Sequence, residues 1–72
     1  MSTVMYVKPG CPYCDAARKD LTERGEAFTE LDATRDPFHR RQLMRLTSNT
    51  GVVPTIVREG GEVQVGFPPG SG

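Results

Sequence analysis

The chain has 72 residues, of which nine are basic, nine are acidic and 36% are hydrophobic, so its formal net charge is zero. This length allows one domain and lies near the lower limit for independent folding. The balanced charge gives no indication of nucleic-acid binding, and no apolar run is long enough for a membrane span or a secretory signal. We therefore expect a cytoplasmic monomer that binds neither nucleic acid nor membranes.

The first half of the chain predicts a strand, a helix and a second strand. An almost wholly apolar run predicts a central strand from Ser2 to Lys8. A helix should run from near Cys11 to Arg24, with Pro12 in its first turn and Gly25 closing it. A strand from about Ala27 to Leu31 should follow, because this segment contains β-prone apolar residues.

A second helix is predicted after these elements. Asp36-Pro37 is typical of an N-cap followed by a proline in the first turn, and the helix should end near residue 46 or 47. Its buried side should come from Leu43 and Leu46, together with Phe38 or Met44.

The last part of the chain predicts a hairpin. Val53–Val57 should form an entry turn and a third strand, with Pro54 at the first position of the strand, and a glycine-rich turn should lead into Val63–Val65. Residues 67–72 have no helical pattern and are expected to be loop or disordered, so the domain should cover residues 1–66. The order β-α-β-α-β-β predicts an α/β fold: a mixed four-stranded sheet with both helices packed on it, parallel in its early pair and antiparallel in its last pair.

The two cysteines of the chain, Cys11 and Cys14, lie at the predicted start of the first helix. A disulfide closing so short a loop constrains the unfolded chain little, which favours a chemical role over a structural one. The unpaired N–H groups of a helix start stabilise a thiolate at Cys11, and Lys8 could add a cation. Cys11 should therefore attack a substrate disulfide and Cys14 should resolve the mixed disulfide, while Pro12 and Tyr13 set the geometry of the turn.

Two other readings of the cysteine pair stay open at this point. Half of a zinc site would need further ligands, and the chain offers only His39 and no third cysteine, so carboxylates would have to complete it. Two buried and inert cysteines are the other alternative. The proline-tyrosine insert and the helix start favour a redox pair over both.

The segment from Lys8 to Cys14, with the sequence KPGCPYC directly after the first strand, resembles the dithiol motif of the glutaredoxin family. Val53-Pro54-Thr55, placed before an apolar strand, is similar to the cis-proline loop of that family. The resemblance extends from Thr3 to about Gly66. It implies a thioredoxin-like (glutaredoxin) fold, with Pro54 in the cis form facing Cys11.

The same resemblance implies a function and a set of binding residues. The protein would be a thiol–disulfide oxidoreductase that reduces protein disulfides or glutathione mixed disulfides, with glutathione as co-substrate and no permanently bound cofactor or metal. Lys8 and Tyr13 would contact glutathione, and Arg41 or Gln42 would reach its glycine carboxylate. The alternative for Arg40, Arg41 and Arg45 is a solvated charged helix face. The backbone of Val53 could pair with an extended thiol peptide.

The C-terminal residues depart from the glutathione-using pattern. Gly66 matches the first glycine after the last strand, but Phe67-Pro68-Pro69-Gly70 stands where a second glycine and an acidic pair would begin a third helix. The start of that helix would bind a glutathione carboxylate, and the helix itself would cover one side of the sheet. Both the carboxylate site and this helix are therefore expected to be missing. Gly66-Phe67 instead looks like the NrdH-redoxin branch, which thioredoxin reductase reduces. The reductant, glutathione or thioredoxin reductase, stays open.

Three further functions remain as alternatives. Cys11 alone could remove glutathione from proteins, with a second glutathione as the resolving thiol. Cys11 from two chains and two glutathiones could ligate a [2Fe–2S] cluster, although the proline at position 12 stiffens the turn and argues against this within the family. The chain could also be a regulatory remnant without activity.

Overall fold

A computed structural model describes residues 3–68 of the protein. The chain forms the elements β1 (Thr3–Val7), α1 (Pro12–Glu23), β2 (Phe28–Asp32), α2 (Pro37–Leu46), β3 (Thr55–Val57) and β4 (Val63–Val65). This order confirms the predicted β-α-β-α-β-β arrangement. Met1, the predicted strand start at Ser2 and the part of the predicted tail from Pro69 to Gly72 lie outside the described residues.

The four strands form one mixed sheet in the order β2-β1-β3-β4. β1 pairs in parallel with β2, as a strand–helix–strand crossover requires, and antiparallel with β3. β3 and β4 form the predicted antiparallel hairpin. β1 is therefore a central strand with a neighbour on each side, which explains why its sequence is almost continuously apolar.

Capping interactions fix the start of α2 and the end of α1. The Asp36 side chain accepts a hydrogen bond from the Phe38 N–H at 2.9 Å and caps α2, with Pro37 in the first turn. At the end of α1, Gly25 has a φ of +73° and its N–H donates to the Thr22 carbonyl, while the Glu26 N–H donates to the Leu21 carbonyl. These paired bonds form a Schellman motif, which confirms Gly25 as the closing residue.

One buried cluster joins α1, α2 and the sheet. Met5 in β1 and Ile56 in β3 are register partners and are 0% and 1% exposed. Ala17 and Leu21 of α1 are buried in the same cluster. An ion pair between Arg18 and Glu30, at 2.7 Å, ties the outer side of α1 to the edge strand β2.

The second helix decides between the two residues that were predicted as alternatives for its third apolar contact. Leu43 is buried, and Leu46 and Met44 are half-buried, but Phe38 is 59% exposed. Phe38 and Leu43 are five positions apart and therefore point about 140° apart around the helix, so both cannot face the core. Of the two alternatives for the third apolar contact, Met44 is the one that the fold uses.

The third strand begins one residue later than predicted. Pro54 precedes it, and the Val53–Pro54 peptide bond is cis. The Pro54 carbonyl accepts a hydrogen bond from the Gly66 N–H at 2.8 Å, so the end of β4 is tied to this turn. Phe67, the first residue of the predicted tail, is half-buried and packs against the core.

Candidate active site

Cys11 is the N-cap of α1. Its backbone is extended, with φ −93° and ψ 112°, and its Sγ accepts a hydrogen bond from the Cys14 N–H at 3.4 Å. This N–H belongs to the first turn, where helix donors have no partner within the helix. A negative charge on Sγ at this position is stabilised by the donor and by the positive end of the helix dipole.

Cys14 lies one turn into the helix and has a different environment. Both cysteines are thiols in this structure, and Cys14 is only 1% exposed. The pKa of the Cys14 thiol is raised to about 11, chiefly by burial and also by the neighbouring Cys11. A hydrogen bond with the backbone of Lys8 acts in the opposite direction. Cys14 is therefore held as a neutral thiol, while Cys11 occupies the position that favours an anion.

A loop ahead of β3 covers Cys11 from the other side. The Cys11 Sγ lies 4.0 Å from the Val53 carbonyl oxygen, toward which its S–H is directed in a long, weak hydrogen bond. The loop is fixed by the Thr55 hydroxyl, which is fully buried and donates to the Val52 carbonyl at 2.8 Å. In the sequence Thr55 is recognisable only as part of the Val53-Pro54-Thr55 motif, which gives no sign that its hydroxyl closes the turn.

An open cleft adjoins this loop and has a volume of about 280 Å³. Its lining residues are Lys8, Ala33, Thr34, Arg40, Leu43, Met44, Gly51 and Val53. Leu43 and Met44 of α2 contribute apolar side chains to this lining, and Lys8 and Arg40 contribute positively charged ones. Arg40 Nη2 donates to the Thr34 carbonyl at 3.3 Å, which holds the guanidinium at the side of the cleft. The cleft can therefore receive a small ligand that combines an apolar part with an anionic group.

The structure does not bring all the predicted binding residues to this cleft. Lys8 and Val53 line it, but Arg41 is exposed, Gln42 is half-buried and neither contributes to the lining. Arg40 takes this place instead, because it precedes Leu43 and Met44 by one turn and shares their side of α2. That helical spacing was available in the sequence and could have identified Arg40.

The remaining predicted binding residues surround the cysteines. Pro12 and Tyr13 are exposed between them, with Tyr13 45% exposed. Gly66 is buried and acts through its backbone N–H, which bonds to Pro54. Tyr13 thus offers an aromatic surface next to the thiols, while Gly66 supports the loop that faces them.

Neither a metal cluster nor a membrane-spanning helix is seen in the part of the chain that the structure describes. Over residues 3–68, His, Cys, Asp and Glu side chains form no group of three or more suited to hold a metal ion. Over the same residues, neither helix has the length and apolar character that crossing a membrane requires.

Comparison with known proteins gives a consistent family. A sequence model described as glutaredoxin matches residues 3–63, while no curated protein matches the chain. The crystal structure of the thioredoxin-like protein BC3987 is similar, with 30% identity and a TM-score of 0.79 over 92% of this chain and 88% of that one. The solution structure of glutaredoxin from Brucella melitensis has 30% identity and a TM-score of 0.73, covering 92% of this chain and 70% of that one. A buckwheat glutaredoxin–glutathione complex shares the fold, with a TM-score of 0.75 at 22% identity, over 92% of this chain and 61% of that one.

Proposed function

This chain belongs to the glutaredoxin family and has its thioredoxin-like fold, and from that premise we propose that it reduces disulfides through Cys11 and Cys14. The observation that carries this proposal is the asymmetry of the pair. Both side chains are buried, but Cys11 caps α1 and its sulfur accepts the Cys14 N–H, whereas the pKa of the Cys14 thiol is raised to about 11. Cys11 is thereby suited to attack a substrate disulfide, and Cys14 is suited to stay protonated until the mixed disulfide has formed.

The first step is attack by the Cys11 thiolate on one sulfur of the substrate disulfide. A bond forms between Cys11 Sγ and that sulfur, and the other substrate sulfur leaves as a thiolate. Cys14 then gives up its proton, for which the departing thiolate is the nearest base that the reaction itself provides. The Cys14 thiolate attacks Cys11 Sγ, releases the second substrate sulfur as a thiolate and leaves a Cys11–Cys14 disulfide, so two electrons have passed to the substrate.

The cleft beside Val53 supports glutathione as the thiol that restores the pair. Glutathione carries carboxylates and a short backbone, which suit a groove with Lys8 and Arg40 at its sides. In the mixed disulfide with Cys11, its backbone would lie along Val53, whose carbonyl faces the sulfur. We assign the binding of the glycine carboxylate to Lys8 and Arg40. A protein that is restored by glutathione works in a reducing compartment, so we also propose a cytoplasmic location.

The reductant is tested by supplying electrons in two ways in parallel. A model disulfide is offered with glutathione and its reductase, or with thioredoxin reductase, and NADPH consumption is followed. Faster turnover with the glutathione system is expected, with KM for glutathione raised in Lys8→Gln. Lys19→Gln, a change of equal charge on α1, serves as the control. Activity with neither system would refute the proposed function.

The roles of the two thiols are separated by single substitutions. Cys11→Ser should abolish all reduction, because the attacking sulfur is gone. Cys14→Ser should lose reduction of a protein disulfide but keep removal of glutathione from a protein, since a second glutathione can resolve that mixed disulfide. Equal loss of both reactions in Cys14→Ser would contradict the step order, and protein-disulfide reduction retained by Cys11→Ser would contradict the assignment of the nucleophile.

A further inference from the structure

Helix α2 carries an unbalanced positive charge. Arg40, Arg41 and Arg45 lie on it, and it contains no Asp or Glu. Among the ion pairs of residues 3–68, none involves these three arginines. On α1, by contrast, Arg18 and Arg24 each pair with an aspartate of their own helix. The chain thus neutralises the arginines of one helix and leaves those of the other available.

Three exposed side chains of α2 share one face. Phe38, Arg41 and Arg45 are spaced i, i+3 and i+7, which places them along a single line on the helix surface. Phe38 is 59% exposed and both arginines are exposed. We call Phe38, Arg41 and Arg45 the outer stripe. Arg41 and Arg45 repel each other at i,i+4, and neither forms an ion pair within residues 3–68.

Three acidic residues of the described range form no ion pair, and none lies on α2: Glu23, Glu59 and Glu62. Glu23 ends α1, and Glu59 and Glu62 flank the turn between β3 and β4. That turn is at the end of the sheet opposite Cys11, because Val57 pairs with Val4 near the start of β1 while Cys11 follows the end of β1. The neutral chain therefore has separated charges, with α2 and Lys8 positive. Such a field orients an acidic partner so that it meets the α2 side of the active site.

We propose that the outer stripe docks an acidic segment of the disulfide-bearing protein that Cys11 reduces; this rests on the proposed function. Phe38 supplies an apolar anchor, and Arg41 and Arg45 supply planar donors for carboxylates. Aromatic and arginine side chains are the types that dominate binding energy at protein interfaces. The stripe runs along the outer side of α2, the helix whose other side lines the cleft through Arg40, Leu43 and Met44.

The test uses two peptide disulfides with the same sequence around the disulfide. One carries Glu residues several positions to either side of it, and the other carries Lys at the same positions. We expect wild-type kcat/KM to be higher for the acidic peptide at low salt, and Arg41→Gln/Arg45→Gln to lower it about fivefold for that peptide only. The preference should vanish in high salt, since the charges are exposed. Lys19→Gln should leave kcat/KM unchanged for both peptides, and Phe38→Ala should lower kcat/KM for both.

The salt dependence of the wild type tests the proposal even where a variant folds poorly, which circular dichroism would reveal. Equal kcat/KM for the two peptides in the wild type would overturn the docking proposal. So would equal losses in the double variant and in Lys19→Gln, or arginine-dependent binding of a DNA duplex without any preference for the acidic peptide. If the wild type reduced neither the peptides nor a small neutral disulfide, the disulfide-reducing function itself would fall, and the docking role with it.

Discussion

The buried thiol of Cys14 should titrate far above the ordinary range of cysteine. Its pKa is raised from 9.0 to about 11, chiefly by burial. At pH 7.5 a pKa of 11 leaves about one molecule in 3,000 with a Cys14 thiolate, against about one in 30 for a pKa of 9. The resolving step therefore depends on a proton acceptor supplied by the reaction, and spontaneous modification of Cys14 should be about a hundredfold slower than that of an ordinary thiol.

The assay is alkylation of Cys11→Ser by iodoacetamide, followed by mass spectrometry across pH 7–11. In the folded variant, the alkylation rate should keep rising beyond pH 9 and should level off only above the pKa of the buried thiol. The same chain in denaturant should level off near pH 9. The substitution removes the contribution of Cys11 but keeps the burial, so the midpoint should lie between 9 and 11. A pH midpoint is the right measure, because poor access to a buried sulfur lowers the rate equally at every pH.

An independent consequence concerns stability. Because the Cys14 pKa is higher in the folded than in the unfolded chain, its stabilising contribution is complete below pH 9 and is lost as the pH rises toward 11. Urea midpoints of Cys11→Ser should therefore fall over this range more than those of the variant with both cysteines replaced by serine. A folded-state midpoint at or below pH 9 would refute the reasoning from burial.

Three further changes test the capping, the core and the loop. Asp36→Ala should cost about 1 kcal/mol in urea unfolding, whereas Asp36→Asn, which keeps the cap, should cost less. Met5→Ala should cost roughly 2–5 kcal/mol, since Met5 is fully buried at the centre of the sheet, and a smaller loss would show that the core collapses around the gap. Thr55→Val should raise KM for a peptide disulfide while kcat with a small disulfide is kept, and Thr55→Ser should restore it; unchanged KM would show that the Val52 carbonyl needs no hydroxyl.

Much of the fold follows from local sequence signals. The Asp36-Pro37 pair specifies a helix start because a side-chain oxygen and a fixed φ both satisfy that position. Gly25 specifies a helix end because the closing residue adopts a positive φ. The parallel pairing of β1 with β2 follows from the crossover helix, and the hairpin of β3 and β4 from its short turn.

Other features depend on contacts between distant segments and were not predictable in this way. Periodicity relates the side chains of α2 to one another, so Leu43 as a core residue favours Met44 over Phe38 and places Arg40 on its own side. Where this side of α2 meets Lys8 and Val53 to form a cleft depends on how the helix packs against the sheet. The bond from Gly66 to Pro54 joins two segments that sequence patterns treat as unrelated. The cysteine pair was recognisable because its reactivity arises within a single turn.

The position of β1 in the sheet has a consequence for synthesis on the ribosome. β1 leaves the tunnel before β3, its sheet partner, and the paired residues Val4 and Val57 are far apart in the chain. These contacts of high sequence separation close only after Val57 has left the tunnel, and such contacts slow folding. Cys11 emerges long before Val53, whose carbonyl lies over its sulfur. The thiol of a nascent chain is therefore exposed to oxidants and to wrong thiol partners until the segment ahead of β3 has emerged.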